Sequence, residues 1–458
     1  MAAVETIDIL VLENLLEERQ FKAVKSILDT MNPVDSAELI SDIEDEHQMV
    51  ILFRLLPKDK AAEVFSYIDP DLQEILIEAM SDSQLQQIMS EMFVDDAVDV
   101  IEEMPSDLVE RLLRATDAQK RSSINALLKY PEDSAGSIMT TEFISLMEDS
   151  TVAESLKKIK RVGIRKETIY TCYVLDGSTL VGIVSAKDLM LSEPDEVVSD
   201  IMDTNILSVN THTDKEEVAS LFSKYDLITL PVVDNSSSLV GIVTFDDAID
   251  VLSDEAEEDF AKMAAMTPTD KPYLRLSVFE IFKNRMPWLL FLLISATFTS
   301  LIITKFENAL SAVTALTIFI PMIMATGGNS GSQSSVTVIR ALSLGEITTG
   351  DFLRVVWKEI RVSVYCGLAL AVCSFAKVIL IDGMLLGSSG VNSTVALVVA
   401  LTLFFTVICA KIIGACLPIL AEKLKLDPAV MASPIITTIM DCVSLLLYFA
   451  FATALMSL

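Results

Sequence analysis

This chain cannot fold in a single solvent. From residue 271 onward it carries 13 Lys and Arg against 9 Asp and Glu, which leaves 21 against 56 in the residues before. A net charge of −31 over 458 residues therefore coexists with a mean hydropathy of +0.50. An acidic part made for water is joined to an apolar part made for a bilayer, and the length allows two or three domains. Phosphate contact needs Lys and Arg, so nucleic acid is not a partner of the acidic half; cations are its natural counterpart. Met1–Leu16 mixes acids with Leu and lacks the basic start of a leader, so the N-terminal half is expected to stay in the cytosol. His47 and His212 are isolated, and Cys172, Cys366, Cys373, Cys409, Cys416 and Cys442 lack ligand spacing. Neither a zinc site nor a disulfide framework is expected. No nucleophile–base constellation appears, so an enzyme is not expected either.

Residues 271–458 hold five apolar segments of about spanning length, near 288–304, 309–325, 362–381, 395–420 and 432–456. Arg275, Lys283 and Arg285 precede the first, Arg340, Arg354, Lys358 and Arg361 follow the second, and Lys423 and Lys425 follow the fourth. The other connections hold Lys305 with Glu307, and Asp382. That distribution predicts a cytosolic N-terminus and an external C-terminus. Lys377 and Lys411 lie deep enough to need snorkelling.

Two places in this half call for a reason. Pro321 opens a stretch that continues Thr326-Gly327-Gly328-Asn329-Ser330-Gly331-Ser332-Gln333. In a helix interior Gly costs about 1 kcal/mol and Pro about 3 kcal/mol against Ala. Non-helical backbone at membrane depth survives only where it is buried in protein or lines a wet cavity. The stretch is either a small-residue helix contact with Gly327–Gly331 spacing, or a broken pore element whose carbonyls and amide oxygens are hard ligands. The packing reading has no use for Asn329 and Gln333, which favours the pore. The second place is Asp441, mid-way along the last segment. A carboxylate at that depth costs at least about 2.5–3.5 kcal/mol unless partnered, and no intramembrane Arg or Lys is an obvious partner. A cation pathway explains it better than a protonated structural carboxyl.

Residues 1–130 read as an all-α solenoid. Pro33, Pro57, Ser81 and Pro105 recur every 24 residues, each expected to open a helix. Ile40, Val64, Ile88 and Leu112 form one apolar series at that period, and Leu52, Leu76, Val100 and Ile124 another. Asp45, Asp69 and Asp117 punctuate the second helix of each unit. Asp95 and Asp99 sit one turn apart, either a solvated face or half of a divalent-cation site. Residues 136–198 and 200–255 are two copies of one pattern, with Val181-Gly-Ile-Val-Ser185-Ala-Lys-Asp188 answered by Val240-Gly-Ile-Val-Thr244-Phe-Asp-Asp247. Each reads as β-α-β-β-α and resembles half of a tandem CBS pair. Ser185 and Thr244 can cap the helices that follow, with Asp188 and Asp247 in the first turn. In CBS domains such an Asp can instead hold an adenosine ribose, which makes ATP a possible regulator. Residues 246–270 form an acidic connecting helix in which Asp246 to Asp259 carry eight acids and no base. So dense a cluster is either a solvated acidic helix or one whose ordered state is neutralised by counter-ions.

In order, the chain is an all-α cytosolic solenoid, an α/β tandem CBS pair, an acidic connecting helix and a five-helix α transmembrane domain. With its Gly-Gly-Asn-x-Gly-x-Gln element and late Asp, this multidomain chain resembles the MgtE family of magnesium channels and transporters over essentially its whole length. The resemblance implies a homodimer in the cell (inner) membrane, with a central pore lined by the second and fifth spans. It implies that Asp441 holds a hydrated Mg²⁺ and that Asp427 lies at the cytosolic pore end. It further implies that Asp95, Asp99, Asp226, Asp247, Asp250, Glu255, Glu258 and Asp259 match sites that sense cytosolic Mg²⁺ at acidic interfaces. Uptake through a Mg²⁺ channel is the leading expectation. A secondary transporter coupled to Na⁺ or H⁺, a CBS-regulated anion channel and a non-conducting metal sensor are the alternatives.

Overall fold

The computed structural model describes residues 9–43, 45–58, 60–269, 271, 273–274, 276–307, 311, 313–386 and 390–456. They fall into two compact units, Met1–Leu252 and Ser253–Leu458. The division lies inside the acidic helix.

The first unit begins with ten short helices: α1 (Ile9–Glu17), α2 (Phe21–Thr30), α3 (Pro33–Ser41), α4 (Glu46–Leu55), α5 (Ala61–Ser66), α6 (Pro70–Ala79), α7 (Asp82–Glu91), α8 (Val94–Glu102), α9 (Ser106–Ala115) and α10 (Ala118–Leu127). Both apolar series of the 24-residue period are buried along the whole stack. Pro33 stands in the first turn of α3, and Ser81 and Pro105 are the cap residues of α7 and α9. Pro57 differs: it starts a turn, with its carbonyl accepting from Lys60 and Ala61, and α5 opens only at Ala61. The Asp series marks helix starts. Asp45 and Asp117 cap α4 and α10 by accepting backbone N–H bonds, and Asp69 stands at the same place before α6. The next member of that series is Phe93, which has no carboxylate. At α8 a carboxylate comes instead from outside the solenoid, and to a different N–H: Glu142 accepts from Val94, the residue directly after Phe93, at 3.1 Å. Basic side chains serve the opposite ends: Lys60 donates to the carbonyls of Asp29 and Met31 at 2.8 and 2.7 Å, and Arg111 to that of Ile77 at 2.8 Å.

The repeat that follows builds two three-stranded sheets, β1–β2–β3 and β4–β5–β6, each with one parallel and one antiparallel pairing. The first copy is β1 (Ile144–Met147), α11 (Val152–Val162), β2 (Thr171–Asp176), β3 (Thr179–Ser185) and α12 (Ala186–Leu191). After the short α13 (Val198–Ile201), the second is β4 (Val209–Asn210), α14 (Lys215–Tyr225), β5 (Thr229–Val233), β6 (Leu239–Thr244) and α15 (Phe245–Met263). The β-α-β-β-α expectation holds for both. The copies exchange their leading segments. Thr140, ahead of the first copy, pairs with Ile242 of β6, while Asp203, ahead of the second, pairs with Ile183 of β3. Glycine is required where these strands cross: a Cβ on Gly241 would lie 2.7 Å from the Thr140 carbonyl.

Among the described residues, the second unit holds five long helices: α16 (Val278–Lys305), α17 (Ala315–Ser343), α18 (Phe352–Lys377), α19 (Ser393–Lys423) and α20 (Ser433–Met456). Apart from α17, each lies within a stretch long and apolar enough to cross a bilayer; α17 is diluted by its polar and glycine residues. The second apolar segment begins later than the sequence suggests, at Ala315, and Ala309 lies outside the described residues. Asp382 also departs from expectation. It sits in a widened helical stretch (Val378–Leu385) that prolongs α18, buried and paired with Lys377 at 2.8 Å.

The main correction concerns the glycine-rich stretch. It does not break; α17 runs as one helix through Pro321 and Gln333. The glycines bring backbones together. A Cβ on Gly327 would meet the Ser444 hydroxyl at 2.4 Å, one on Gly331 would meet Ile436 at 2.6 Å, and one on Gly414 of α19 would stand 2.3 Å from the Gly331 carbonyl oxygen. Small residues let membrane helices approach this closely, and the dispersion attraction between the two backbones offsets the propensity cost. Tyr448 ties α20 to the start of α17 by donating to the Leu316 carbonyl at 2.9 Å.

Gly414→Ala sets a methyl against backbone, which cannot swing aside. It is expected to destabilise the membrane unit by about 1–3 kcal/mol, read as a lower unfolding midpoint in detergent. Gly350→Ala, whose nearest neighbour in that direction is the Thr348 hydroxyl at 3.5 Å, is expected to shift that midpoint little.

Candidate cation sites in the membrane bundle and the acidic interface

Pro321, Gly328 and Asn329 on α17 and Thr437 and Asp441 on α20 line one cavity of about 440 Å³. Helical period explains the grouping. Gly327 and Gly331 turn inward to pack, Gly328, one position round, is buried against Thr437, and Asn329, the next residue, is exposed. The Asp441 carboxylate is half-buried and has no hydrogen-bond or ion-pair partner among the described residues. It lines the cavity together with Asn329, among apolar walls of Ile320, Met324 and Ala325. A carboxylate, an amide and room for water suit a hydrated hard cation. Gln333 is not part of this group. It lines a second cavity with Glu359 and Lys411.

The other concentration of charge lies wholly in the first unit. The first turn of α8 presents Asp95 and Asp96, with Asp99 one turn on, and the first turn of α15 presents Asp246 and Asp247, with Asp250 following. Helix starts tolerate acids because their N–H groups carry partial positive charge. Two loops of the first CBS copy bring Glu142 and Glu167, held together by the Glu167 N–H donating to the Glu142 carbonyl at 2.9 Å. Burial, aggravated by Asp247 and Asp96, pushes Asp99 up to about 7. Burial together with Asp247 and Asp246 pushes Glu167 up to about 8. Burial raises Asp96 and Asp247 each to about 6, and raises Asp95, beside Asp247 and Glu167, well above the carboxylate range. One oxygen of Asp95 and one of Glu167 are fully buried without a hydrogen-bond partner. Lys120 and Lys166 are the nearby cations, and burial lowers both. Lys120 is spent on the Met92 carbonyl.

No three acids among the described residues surround a single point at ligand distance. A magnesium ion does not require that: it usually keeps several waters and uses one or two carboxylates. Hard oxygen donors, mutual repulsion and orphaned buried oxygens fit a divalent cation.

The remaining sequence candidates divide. Asp95, Asp99, Asp247 and Asp250 come together as described. Asp226 does not join them; it caps the end of α14 in a left-handed conformation (φ 52°), exposed. Further along α15, Glu258 and Asp427 share Lys262 at 2.5 and 2.6 Å, and Asp259 accepts from the Ser343 hydroxyl at 3.3 Å. Burial opposes the charge on Lys262, but the bonds to Asp427 and Glu258 outweigh it and hold the amine at about 12. Glu255 is half-buried on the same helix. Ser185 and Thr244 act locally: the Ser185 hydroxyl caps α12 through the Asp188 N–H at 3.0 Å, and the Thr244 hydroxyl donates to Asp247. Sequence reasoning missed Asp96, Glu142, Glu167 and Asp246. Asp96 and Asp246 neighbour residues already singled out. The two glutamates stand in loops with no periodicity, and only the missing Asp at position 93 hinted that a carboxylate would come from elsewhere.

Comparison with known proteins agrees with this layout. A family model described as the MgtE intracellular N domain matches residues 31–133, the CBS domain model matches 135–194 and 198–254, and a model described as the MgtE divalent cation transporter matches 320–451. The magnesium transporter MgtE of Thermus thermophilus is 36% identical over 449 residues, 97% of this chain and 98% of that protein. The Bacillus subtilis magnesium transporter MgtE is 36% identical over 96% of this chain and 95% of its own length. Among solved structures, the cytosolic domain of the Mg²⁺ channel MgtE in complex with ATP is 36% identical with a TM-score of 0.51, covering 53% of this chain and all of that one. The soluble part of a magnesium transporter is 30% identical with a TM-score of 0.50, covering 54% and 98%.

The raised carboxyls make a pH prediction. In a fold that raises an acid's pKa, the native state binds protons that the unfolded chain has already released, so stability falls as pH rises from the ordinary carboxylate value to the native one. With Asp96 and Asp247 at about 6, Asp99 at about 7 and Glu167 at about 8, that window extends from about 4 to about 8. In chelator, calorimetry of the full chain is expected to show the first unit unfolding at a higher temperature near pH 6 than near pH 8. Asp99→Asn with Glu167→Gln is expected to flatten that slope.

Proposed function

The chain belongs to the MgtE family of divalent cation transporters, and from that premise we propose that it is a magnesium-selective channel closed by cytosolic Mg²⁺ bound at the acidic cluster. The observation that carries this reading is the Asp441 carboxylate, without a partner among the described residues, lining with Asn329 one cavity of about 440 Å³ between α17 and α20. Mg²⁺ dehydrates reluctantly, so a site that passes it should hold its water shell through carboxylate and amide oxygen without stripping it. Two copies of the chain around a two-fold axis would set two such carboxylates face to face, the ring-of-acid device of cation channels. We place the acidic half in the cytosol and the C-terminus outside, in a multi-pass arrangement in the cell membrane, on the strength of the basic residues flanking the spans.

Gating follows from the first unit. Without a divalent ion, Asp95, Asp96, Asp99, Glu167, Asp246 and Asp247 repel across the junction of α8, α15 and the CBS loops. Mg²⁺ neutralises them and holds the junction closed. Glu258, Asp259 and Asp427 carry the same logic toward the membrane, with Lys262 already seated between two of them. Shifting a gate from 1:99 to 99:1 needs about 5.5 kcal/mol of differential binding, which several weak ions acting together can supply. ATP, the ligand in the solved relative's cytosolic domain, is a candidate second effector of the CBS pair.

Three expectations test the reading in liposomes. Asp441→Asn keeps shape and removes charge; it should cut Mg²⁺ flux by about tenfold or more, equivalent to about 1.4 kcal/mol at the barrier. Undiminished, selective flux would remove Asp441 from the pathway. A current reversing at the Mg²⁺ equilibrium potential, whatever the Na⁺ or pH gradient, identifies a channel; reversal that follows either gradient identifies a coupled transporter. Neutralising Asp99 and Asp247 together should raise the internal Mg²⁺ needed for half-inhibition several-fold and leave maximal flux intact.

A further inference from the structure

The second membrane cavity, of about 640 Å³ between α17, α18 and α19, contains two opposite charges that the cation pathway does not use. Lys411 lines it from α19 and is only 7% exposed, with no hydrogen-bond or ion-pair partner among the described residues. A buried ammonium at membrane depth costs several kcal/mol unless something answers it. Glu359 lines the same cavity from α18 and is fixed by the Ser334 hydroxyl, which donates to it. At the opening, Val336 and Val362 are 42% and 39% exposed, beside exposed Gln333 and Thr337, so the rim offers both apolar and polar side chains.

Depth locates the cavity in the bilayer. At 1.5 Å per residue, Glu359 lies about 10 Å inside the Phe352 end of α18, Ser334 about 13 Å inside the Ser343 end of α17, and Lys411 about 18 Å inside the Lys423 end of α19. The sequence in and beyond these ends carries Arg340, Arg354, Lys358, Arg361, Lys423 and Lys425, all exposed. Helices of this length overhang a hydrocarbon core of about 30 Å by several ångströms at each end. The carboxylate therefore sits near the headgroup boundary, and the ammonium can reach toward it by snorkelling. Basic pockets between membrane helices on this side are where lipid headgroups bind.

We propose that this cavity holds the phosphodiester headgroup of a membrane phospholipid, with its phosphate on the Lys411 ammonium, its hydroxyl or amine substituent on the Glu359 carboxylate, and its chains leaving past Val336 and Val362. A lone anion would answer Lys411 but leave Glu359 and the exposed Val336 and Val362 without a role. The assignment does not depend on which ion crosses the membrane.

The test is native mass spectrometry of the full-length protein, delipidated in detergent and then titrated with dioleoyl-phosphatidylglycerol in mixed micelles. Two variants are compared: Lys411→Met, which keeps length and removes charge, and Thr337→Phe, which fills the cavity from an exposed rim position without touching either charge. The wild-type protomer is expected to retain one lipid through detergent dilution, and each variant is expected to lose retention at least tenfold. Equal retention by wild type and Thr337→Phe overturns the proposal even if Lys411→Met fails to fold. Displacement of the lipid by millimolar inorganic phosphate also overturns it, by showing a free-anion site.

Discussion

The membrane unit depends on how closely one helix backbone can approach another. Where the Gly331 carbonyl faces Gly414 there is no room for a methyl group, and Gly327 stands equally close to Ser444. Without a hydrophobic drive between helices in lipid, such backbone contact is a main source of association. It also sets the chemistry. Because α17 is held by its glycine stripe, the neighbouring stripe of Pro321, Gly328 and Asn329 is fixed opposite Asp441. Packing and polarity thus share one helix, with Gly328 packed on Thr437 and Asn329 beside it exposed to the cavity.

The acidic groups follow a common rule with one instructive exception. In the first unit the carboxylates of Asp95 and Glu167 keep buried oxygens without partners, and in the bundle Asp441 has none among the described residues. Glu258 and Asp427 are different, because Lys262 already answers both. A cation arriving there must compete with a tethered amine, whereas at Asp95 and Glu167 it meets only repulsion to be relieved. The two groups should therefore differ in affinity for the same ion, for a reason that lies in one lysine.

Much of this was legible in the chain. The 24-residue period picked out the buried positions of the solenoid, and the doubled Val-Gly-Ile-Val pattern found both sheets, because burial and strand alternation are local in sequence. The glycine stretch misled because intrinsic propensity was allowed to overrule tertiary contact: a helix interior tolerates three glycines when another helix fills the space they leave. Gln333 was grouped with Asn329 by adjacency in the motif, yet four residues of helix carried it to a different cavity. Glu142 and Glu167 were illegible, since nothing periodic marks a loop residue that acts on a helix 48 positions away.

That last contact has a consequence for how the molecule is made. The solenoid leaves the ribosome first and can complete the starts of α4 and α10 from its own Asp45 and Asp117. The start of α8 has Phe93 in that place and no side-chain cap from within the solenoid, and its amide at Val94 is answered only once Glu142 has been synthesised and docked. One turn of the nascent solenoid therefore remains unfinished while the next domain is being translated. It is the same turn that carries Asp95 and Asp96, so the acidic pair reaches its buried position only after the chain that will surround it exists.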